Sequence, residues 1–128
     1  MGSILDEKIT DIVNEKYDFV IIGAVLHHLV GKNRKISKEN VKLAISNALK
    51  ILKTGGHLII LEPIFEPKIS MDTLFYIKKF VISITNKRVP IFNYWFNIKA
   101  PLVSYLTEKE LLKILKVFEE VKIESIKK

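Results

Sequence analysis

The stretch YDFVIIGAVLHHL, residues 17–29, decides how this chain folds. It contains a continuous apolar run, residues 19–22, that is rich in β-branched side chains. A strand that is apolar on both faces is typical of a parallel sheet that helices cover on both sides. Gly23 and Ala24 follow the run, and small residues at a strand end let another backbone or a ligand approach closely. We therefore predict a central strand that leads into a polar tip formed by His27 and His28.

A helix comes next along the chain. Ser37 is a suitable helix N-cap, and Glu39 in the first turn suits the helix dipole. Apolar residues then recur at helical spacing and form one stripe; they are Val41, Ala44, Ile45, Ala48, Leu49 and Leu52. We expect the helix to end at Gly55-Gly56, because glycine accepts the left-handed conformation of a C-terminal cap.

A second apolar run, residues 57–61, predicts another buried strand, which Glu62 and Pro63 close. Strand–helix–strand over residues 17–62 is a right-handed crossover, in which the two strands lie parallel. Both carboxyl ends then reach one edge of the sheet, where open α/β sheets bind ligands. The residues after each strand are therefore expected to share one site.

The rest of the chain predicts a cap and a final helix–strand pair within a single domain, residues 1–128. The cap, residues 64–106, holds a helix from residue 71 to about residue 84 and an aromatic cluster, residues 92–96. That cluster is a substrate lid, a membrane-surface patch or ordinary cover for the core, and we favour the last. Thr107 and Glu110 form a capping box for the final helix, and a more exposed strand spans residues 120–126.

Composition narrows the classes of function. The chain has 128 residues, 48% of them apolar, a formal net charge of +7 and no cysteine. Disulfide frameworks, thiol catalysis and cysteine-based zinc sites are therefore excluded, and we expect a cytoplasmic protein without a signal peptide or membrane span. Nucleic-acid binding is not favoured, because the lysines are spread along the chain rather than gathered on one element.

Two motifs point to a family. YDFVIIGAVLHHL and, after the helix, LKTGGHLIILEP (residues 52–63) resemble the second half of class I S-adenosylmethionine-dependent methyltransferases. A third stretch, YLTEKELLKILKVFEEVKI (residues 105–123), has a counterpart there as well. The resemblance covers roughly residues 2–126, and the two motifs are specific as a pair but weak singly.

The resemblance implies a partial Rossmann-like α/β sheet of parallel strands with flanking helices, lacking the N-terminal strands. S-adenosylmethionine would be the cofactor, and no metal is implied. The resemblance places a first group of residues beside the cofactor: Ser3, Ile4, Gly23, Ala24, Val25 and His28. It places a second group on the side of a methyl acceptor that the sequence does not define: His27, Glu62 and Pro63.

The chain also departs from the family pattern. Thr54 replaces the usual proline, and Ser3 stands where the family often has an aspartate beside the adenine. The Gly-rich loop of the first strand and the acidic residue that ends the second strand have no counterpart. We therefore expect a fragment or truncated relative that is inactive as an isolated chain.

The missing strands would leave an unpaired, apolar edge on the strand at residues 17–22, and such edges favour association. We expect a homo-oligomer or pairing with the missing N-terminal half. The alternative to a methyltransferase is a non-catalytic interaction module that binds a partner or its own copy along this edge.

Three residues have open alternatives. His27 and His28 could line the substrate side of the site, with one of them acting as a base or hydrogen-bond donor. They could instead bind a metal, or could be helix-start residues that only orient the loop through hydrogen bonds. Metal binding is the weakest of these, because adjacent residues on a turn face different directions and a third ligand is not evident. Glu62 either faces the substrate or is a partly solvated loop carboxylate.

Overall fold

The computed structural model describes residues 3–6, 8–64, 66, 68–84, 102–119, 122 and 124. Along the chain the elements are α1 (Ile9–Ile12), β1 (Tyr17–Gly23), a 3-10 turn (Leu26–His28), α2 (Arg34–Lys50), β2 (Leu52–Leu61), α3 (Lys68–Ile84) and α4 (Glu108–Leu115). The protein is therefore α/β, with two parallel strands and flanking helices. No helix in the described part of the chain has both the length and the hydropathy needed to cross a bilayer.

β1 and β2 pair in parallel, with α2 as the connection between them. The register runs from Phe19 opposite His57 to Gly23 opposite Leu61, so both strands end side by side. This arrangement confirms the predicted parallel strand–helix–strand unit, which followed from two apolar runs separated by one amphipathic helix.

The predicted boundary between α2 and β2 was wrong. α2 ends at Lys50, and Leu52 already pairs with Tyr17 of β1. Gly55 and Gly56 lie in an irregular stretch of β2, where the register shifts between Tyr17 and Phe19. Gly55 has φ of 79°, and a Cβ on Gly56 would come within 3.1 Å of the Asp18 carbonyl oxygen. The glycines thus serve a bulge and a close backbone approach rather than a helix cap.

The predicted start of α2 was also wrong, because Asn33 and not Ser37 is the N-cap. The Asn33 side chain accepts a hydrogen bond from the Ile36 amide at 2.9 Å, and its backbone is extended. Ser37 lies buried in the first turn and donates to the Asn33 carbonyl oxygen at 2.9 Å. Asparagine and serine both suit the cap position, so the choice between them depended on where the preceding loop turns.

The core lies on one side of the sheet. The predicted stripe of α2 is confirmed as far as Leu49, with Val41, Ala44, Ile45 and Ala48 almost fully buried against Ile22 of β1. Leu52, the last residue predicted for the stripe, lies in β2 instead. The opposite side of the sheet is open, and the expectation that helices cover both faces was wrong for the described residues. Apolar side chains on this open face are 38–64% exposed; they are Tyr17, Phe19 and Ile21 of β1 with Ile59 and Leu61 of β2.

The cap region is described in part. α3 begins three residues before the predicted start, and Ile64 bridges in parallel to Leu106, just before α4. The capping box is confirmed: the Glu110 amide donates to Thr107 Oγ1 at 3.2 Å, and the Thr107 amide donates to Glu110 Oε2 at 3.1 Å. The aromatic cluster and most of the predicted final strand lie outside the described residues.

Candidate functional site

The site lies where the two strands end. Gly23 is paired with Leu61, and the next amide, that of Ala24, donates to the Leu61 carbonyl oxygen at 2.8 Å. The residues after β1 and the residues after β2 therefore meet at one edge of the sheet, as predicted. We call this group, Gly23–His28 with Glu62 and Pro63, the strand-end site.

Backbone strain marks the site. Ala24 has φ of 50°, and it is the one non-glycine residue with positive φ among those that the structure describes. The left-handed region costs an alanine about 1–2 kcal/mol. Strained residues of this kind persist where the surroundings impose them, and they cluster at functional sites.

Glu62 occupies the centre of the strand-end site. Its side chain is only 5% exposed, and its Oε1 accepts hydrogen bonds from the amides of Val25 and Leu26, both at 2.6 Å. Its Oε2 lies 2.8 Å from His27 Nδ1. The alternative of a partly solvated loop carboxylate was therefore wrong, because this carboxylate is buried and joins the end of β2 to the turn after β1. Contact with substrate stays a prediction.

The two histidines differ in their surroundings. His27 is 8% exposed, whereas His28 is exposed. The ring of His27 stacks on Tyr105 at 4.9 Å and lies 4.1 Å from the ring of His28, centroid to centroid. An ionised carboxylate only accepts hydrogen bonds, so opposite Glu62 the Nδ1 atom carries the proton. Nε2 is then the nitrogen of neutral His27 that can accept a proton.

Neither histidine belongs to a metal site in the described part of the chain. No group of three or more His, Asp or Glu side chains there has the arrangement needed to hold a metal ion. His57 lies elsewhere, with its ring stacked on Phe19 at 5.4 Å on the open face of the sheet.

The predicted cofactor residues fall into two places. Gly23, Ala24, Val25 and His28 lie together at the strand-end site and are exposed. Ser3 and Ile4 do not join them, because the Ile4 carbonyl oxygen accepts from Asn47 Nδ2 at 2.8 Å, near the end of α2. The strand-end site lies beside the start of α2, about 20 Å of helix away at 1.5 Å per residue.

Sequence reasoning did not single out Arg34. Its residue surface is only 5% exposed, and it contacts Ser104 and Tyr105 beside His27. The signal that could have found it is its residue type. The chain has 21 lysines and arginines, nearly all of them lysine, and arginine is preferred where one cation must bind several acceptors in a fixed geometry.

A groove of about 1030 Å³ lies away from the strand-end site. Residues 52–59 of β2 form one wall, and residues 117–119 form another. The groove therefore follows the outer side of β2 rather than the edge where the strands end. It offers no support for the predicted cofactor position.

The strand-end site thus combines a strained backbone, a buried carboxylate and a buried imidazole at an exposed edge of a parallel sheet. Such an arrangement can hold a small polar ligand and can move one proton through His27. Comparison of the chain with protein-family models, with curated proteins and with solved structures gave no match.

Proposed function

We propose that this chain carries the C-terminal half of a class I S-adenosylmethionine-dependent methyltransferase domain. The observation that supports it best is the Glu62 carboxylate, which joins the ends of β1 and β2 through three hydrogen-bond contacts of 2.6–2.8 Å. The two motifs behind the resemblance, far apart in sequence, therefore end at one point in space. Open α/β sheets bind their ligands at such an edge.

The edge has room for a ligand beside Gly23. A Cβ built on this glycine would meet nothing within 4 Å, and its φ is not in the left-handed region. Gly23, Ala24, Val25 and His28 would hold the cofactor, and bound S-adenosylmethionine would supply an electrophilic methyl group. Ser3 and Ile4 do not fit this role, since they lie near the other end of α2.

The protein's own contribution to such a transfer is placement. Methyl transfer needs an acceptor atom held in line with the group that it attacks, and orientation alone lowers the barrier substantially. Glu62 fixes Nδ1 of His27, so Nε2 could take the proton that the acceptor loses. Glu62 and Pro63 would limit the acceptor's position from the β2 side.

Calorimetric titration with S-adenosylmethionine tests the proposal. The wild-type chain should bind it saturably, and Gly23→Val should weaken binding at least tenfold. Valine suits an extended backbone and points its side chain into the open space. Lys42→Ala, an exposed change on α2, is the control and should bind as the wild type does. Absence of saturable binding by the folded wild-type chain would refute cofactor binding at the strand-end site of this chain.

The open face of the sheet favours a second candidate, a non-catalytic interaction module that pairs with its own copy. Phe19, Ile21 and Leu61 are each 62–64% exposed, and the face leaves on the order of 500 Å² of apolar surface uncovered. A stable dimer buries at least about 600 Å² per partner, which this face and the adjoining edge of β1 would together supply. Two apolar faces can pair about a two-fold axis without any charge complementarity.

Light scattering with size exclusion tests whether the chain pairs through this face. The wild type should run as a dimer, and Phe19→Lys should run as a monomer. Phe80→Lys is a matched control, since Phe80 of α3 is 65% exposed but lies off the sheet. A monomeric wild type, or dissociation by both changes, would contradict pairing through the open face.

A further inference from the structure

Arg34 is a buried cation that gathers three distant segments. Its Nε donates to Asp72 Oδ1 of α3 at 2.8 Å, and its Nη2 donates to Glu110 Oε2 of α4 at 3.1 Å. Its Nη1 donates to Ser104 Oγ at 2.7 Å and to the Tyr105 carbonyl oxygen at 2.6 Å. All three nitrogens of one planar group are therefore used, which a lysine ammonium at the same position could not reproduce.

The charges around Arg34 balance. Glu110 Oε1 lies 2.7 Å from Lys38 Nζ, while Glu110 Oε2 lies 3.1 Å from Arg34. Together with Asp72 the cluster contains two cations and two carboxylates. A buried cation is retained only when it is paired and hydrogen-bonded in this way, so Arg34 has a defined position.

The two residues that Nη1 holds both contact His27. The Ser104 amide donates to the His27 carbonyl oxygen at 2.8 Å. The Tyr105 ring stacks on the His27 ring with 24° between their planes. Arg34 therefore contacts His27 indirectly, reaching its backbone through Ser104 and its ring through Tyr105.

We propose that Arg34 is a positioning residue that fixes the ring of His27 by holding Ser104 and Tyr105 against it. Glu62 restrains the Nδ1 edge of the ring, and the segment held by Arg34 restrains its face. Loss of the Arg34 contacts would release the ring face while the contact to Glu62 remains. A catalytic use of the fixed His27 ring rests on the proposed function. The fixing of the ring by Arg34 does not depend on that function.

Proton NMR of the imidazole of His27, in the chain without added cofactor, tests the proposal. The ring current of the stacked Tyr105 displaces the chemical shift of the His27 ring protons. Tyr105→Leu gives the chemical shift of those protons without this displacement. The chain has three histidines, so His28→Gln and His57→Gln identify the signal. In Arg34→Lys, which keeps the charge but not the fork of donors, the signal should lose most of its displacement.

Lys38→Met is the matched control, because Lys38 pairs with the same Glu110 carboxylate, whereas Arg34 also donates to Ser104 and Tyr105. It should leave the His27 signal in place. An unmoved signal in folded Arg34→Lys, or an equal movement in Lys38→Met, would overturn the proposal. If Arg34→Lys does not fold, Ser104→Ala removes one contact of Arg34 and keeps the hydrogen bond from the residue 104 amide to the His27 carbonyl oxygen. Movement of its signal toward the Tyr105→Leu position supports the proposal, and an unmoved signal overturns it.

Because cofactor is absent from this test, it can fail or succeed independently of the calorimetric titration. A fixed His27 in a chain that binds no S-adenosylmethionine would refute cofactor binding at the strand-end site and retain Arg34 as the positioning residue. Saturable cofactor binding together with a His27 signal that does not change in Arg34→Lys would support the proposed function and refute the positioning role of Arg34.

Discussion

Among single substitutions at the strand-end site, replacement of Glu62 should lower the stability of the protein most. In Glu62→Ala, the amide of exposed Val25 can turn to water, but the amide of Leu26 and Nδ1 of His27 cannot, because those residues are 1% and 8% exposed. A hydrogen bond to a charged group contributes about 1.5–3 kcal/mol, and a buried donor left without its partner is costly. Two such losses lower the free energy of unfolding by about 3–5 kcal/mol.

Glu62→Gln should cost less. The amide oxygen of glutamine can still accept from Val25 and Leu26, but bonds to a neutral acceptor are roughly half as strong. Its NH₂ group would face His27 Nδ1, which must then give up its proton to accept. We expect a loss of about 1–2 kcal/mol.

Urea unfolding followed by circular dichroism measures both changes. With a slope of about 2 kcal/mol per M, Glu62→Ala should lower the midpoint by about 2 M. Glu39→Ala, at an exposed position of α2, is the matched control and should stay within about 0.5 kcal/mol of the wild type. A Glu62→Ala variant within about 1 kcal/mol of the wild type would show that the carboxylate does not hold the turn, and the reasoning would fail.

Three further outcomes are expected from the same assay. Ala24→Gly should stabilise the protein by about 0.5 kcal/mol, because relief of the left-handed strain exceeds the added entropy of the unfolded chain; a loss of 1 kcal/mol would contradict it. Asn33→Ala should cost about 1 kcal/mol through loss of the N-cap; an unchanged midpoint would contradict the assigned helix start. Burial raises the pKa of Glu110, but hydrogen bonds from Lys38 and the Thr107 amide, with nearby positive charge, outweigh it and bring the pKa below its ordinary value. The stability from Glu110 should therefore be complete above about pH 5 and be lost as the pH falls through the folded-state pKa; an equally steep acid loss in Glu110→Gln would contradict this.

Local patterns predicted the part of the fold that carries the site. Two apolar runs, one amphipathic stripe and the Thr107 capping box led to β1, α2, β2 and the start of α4 without reference to distant contacts. The shared edge followed from the parallel direction of the two strands, which a helical crossover between neighbouring strands predicts. Boundaries were harder, because Asn33 and Ser37 both suit a cap and Gly55-Gly56 suits either a helix end or a bulge. Backbone pairing across the sheet decided the case of the glycines, and the turn of the preceding loop decided the case of the cap.

The side-chain geometry of the site could not be predicted in the same way. Glu62 reaches residues 35–37 positions earlier, and Arg34 reaches acceptors 38–76 positions later. No local period in the sequence encodes such distances. The sequence therefore predicted neither the contact of Glu62 with His27 nor the contacts of Arg34 with Ser104 and Tyr105.

By itself the sequence determined that this chain forms a parallel strand–helix–strand unit with its polar residues at the strand ends, since apolar periodicity and glycine placement act over a few residues. Only the tertiary structure decided that Glu62 is buried against the turn after β1 and that Arg34 binds the two residues that contact His27. It also decided that one face of the sheet is open among the described residues. Those features depend on which distant segments pack together, and packing responds to the volume and charge of whole elements rather than to any one stretch.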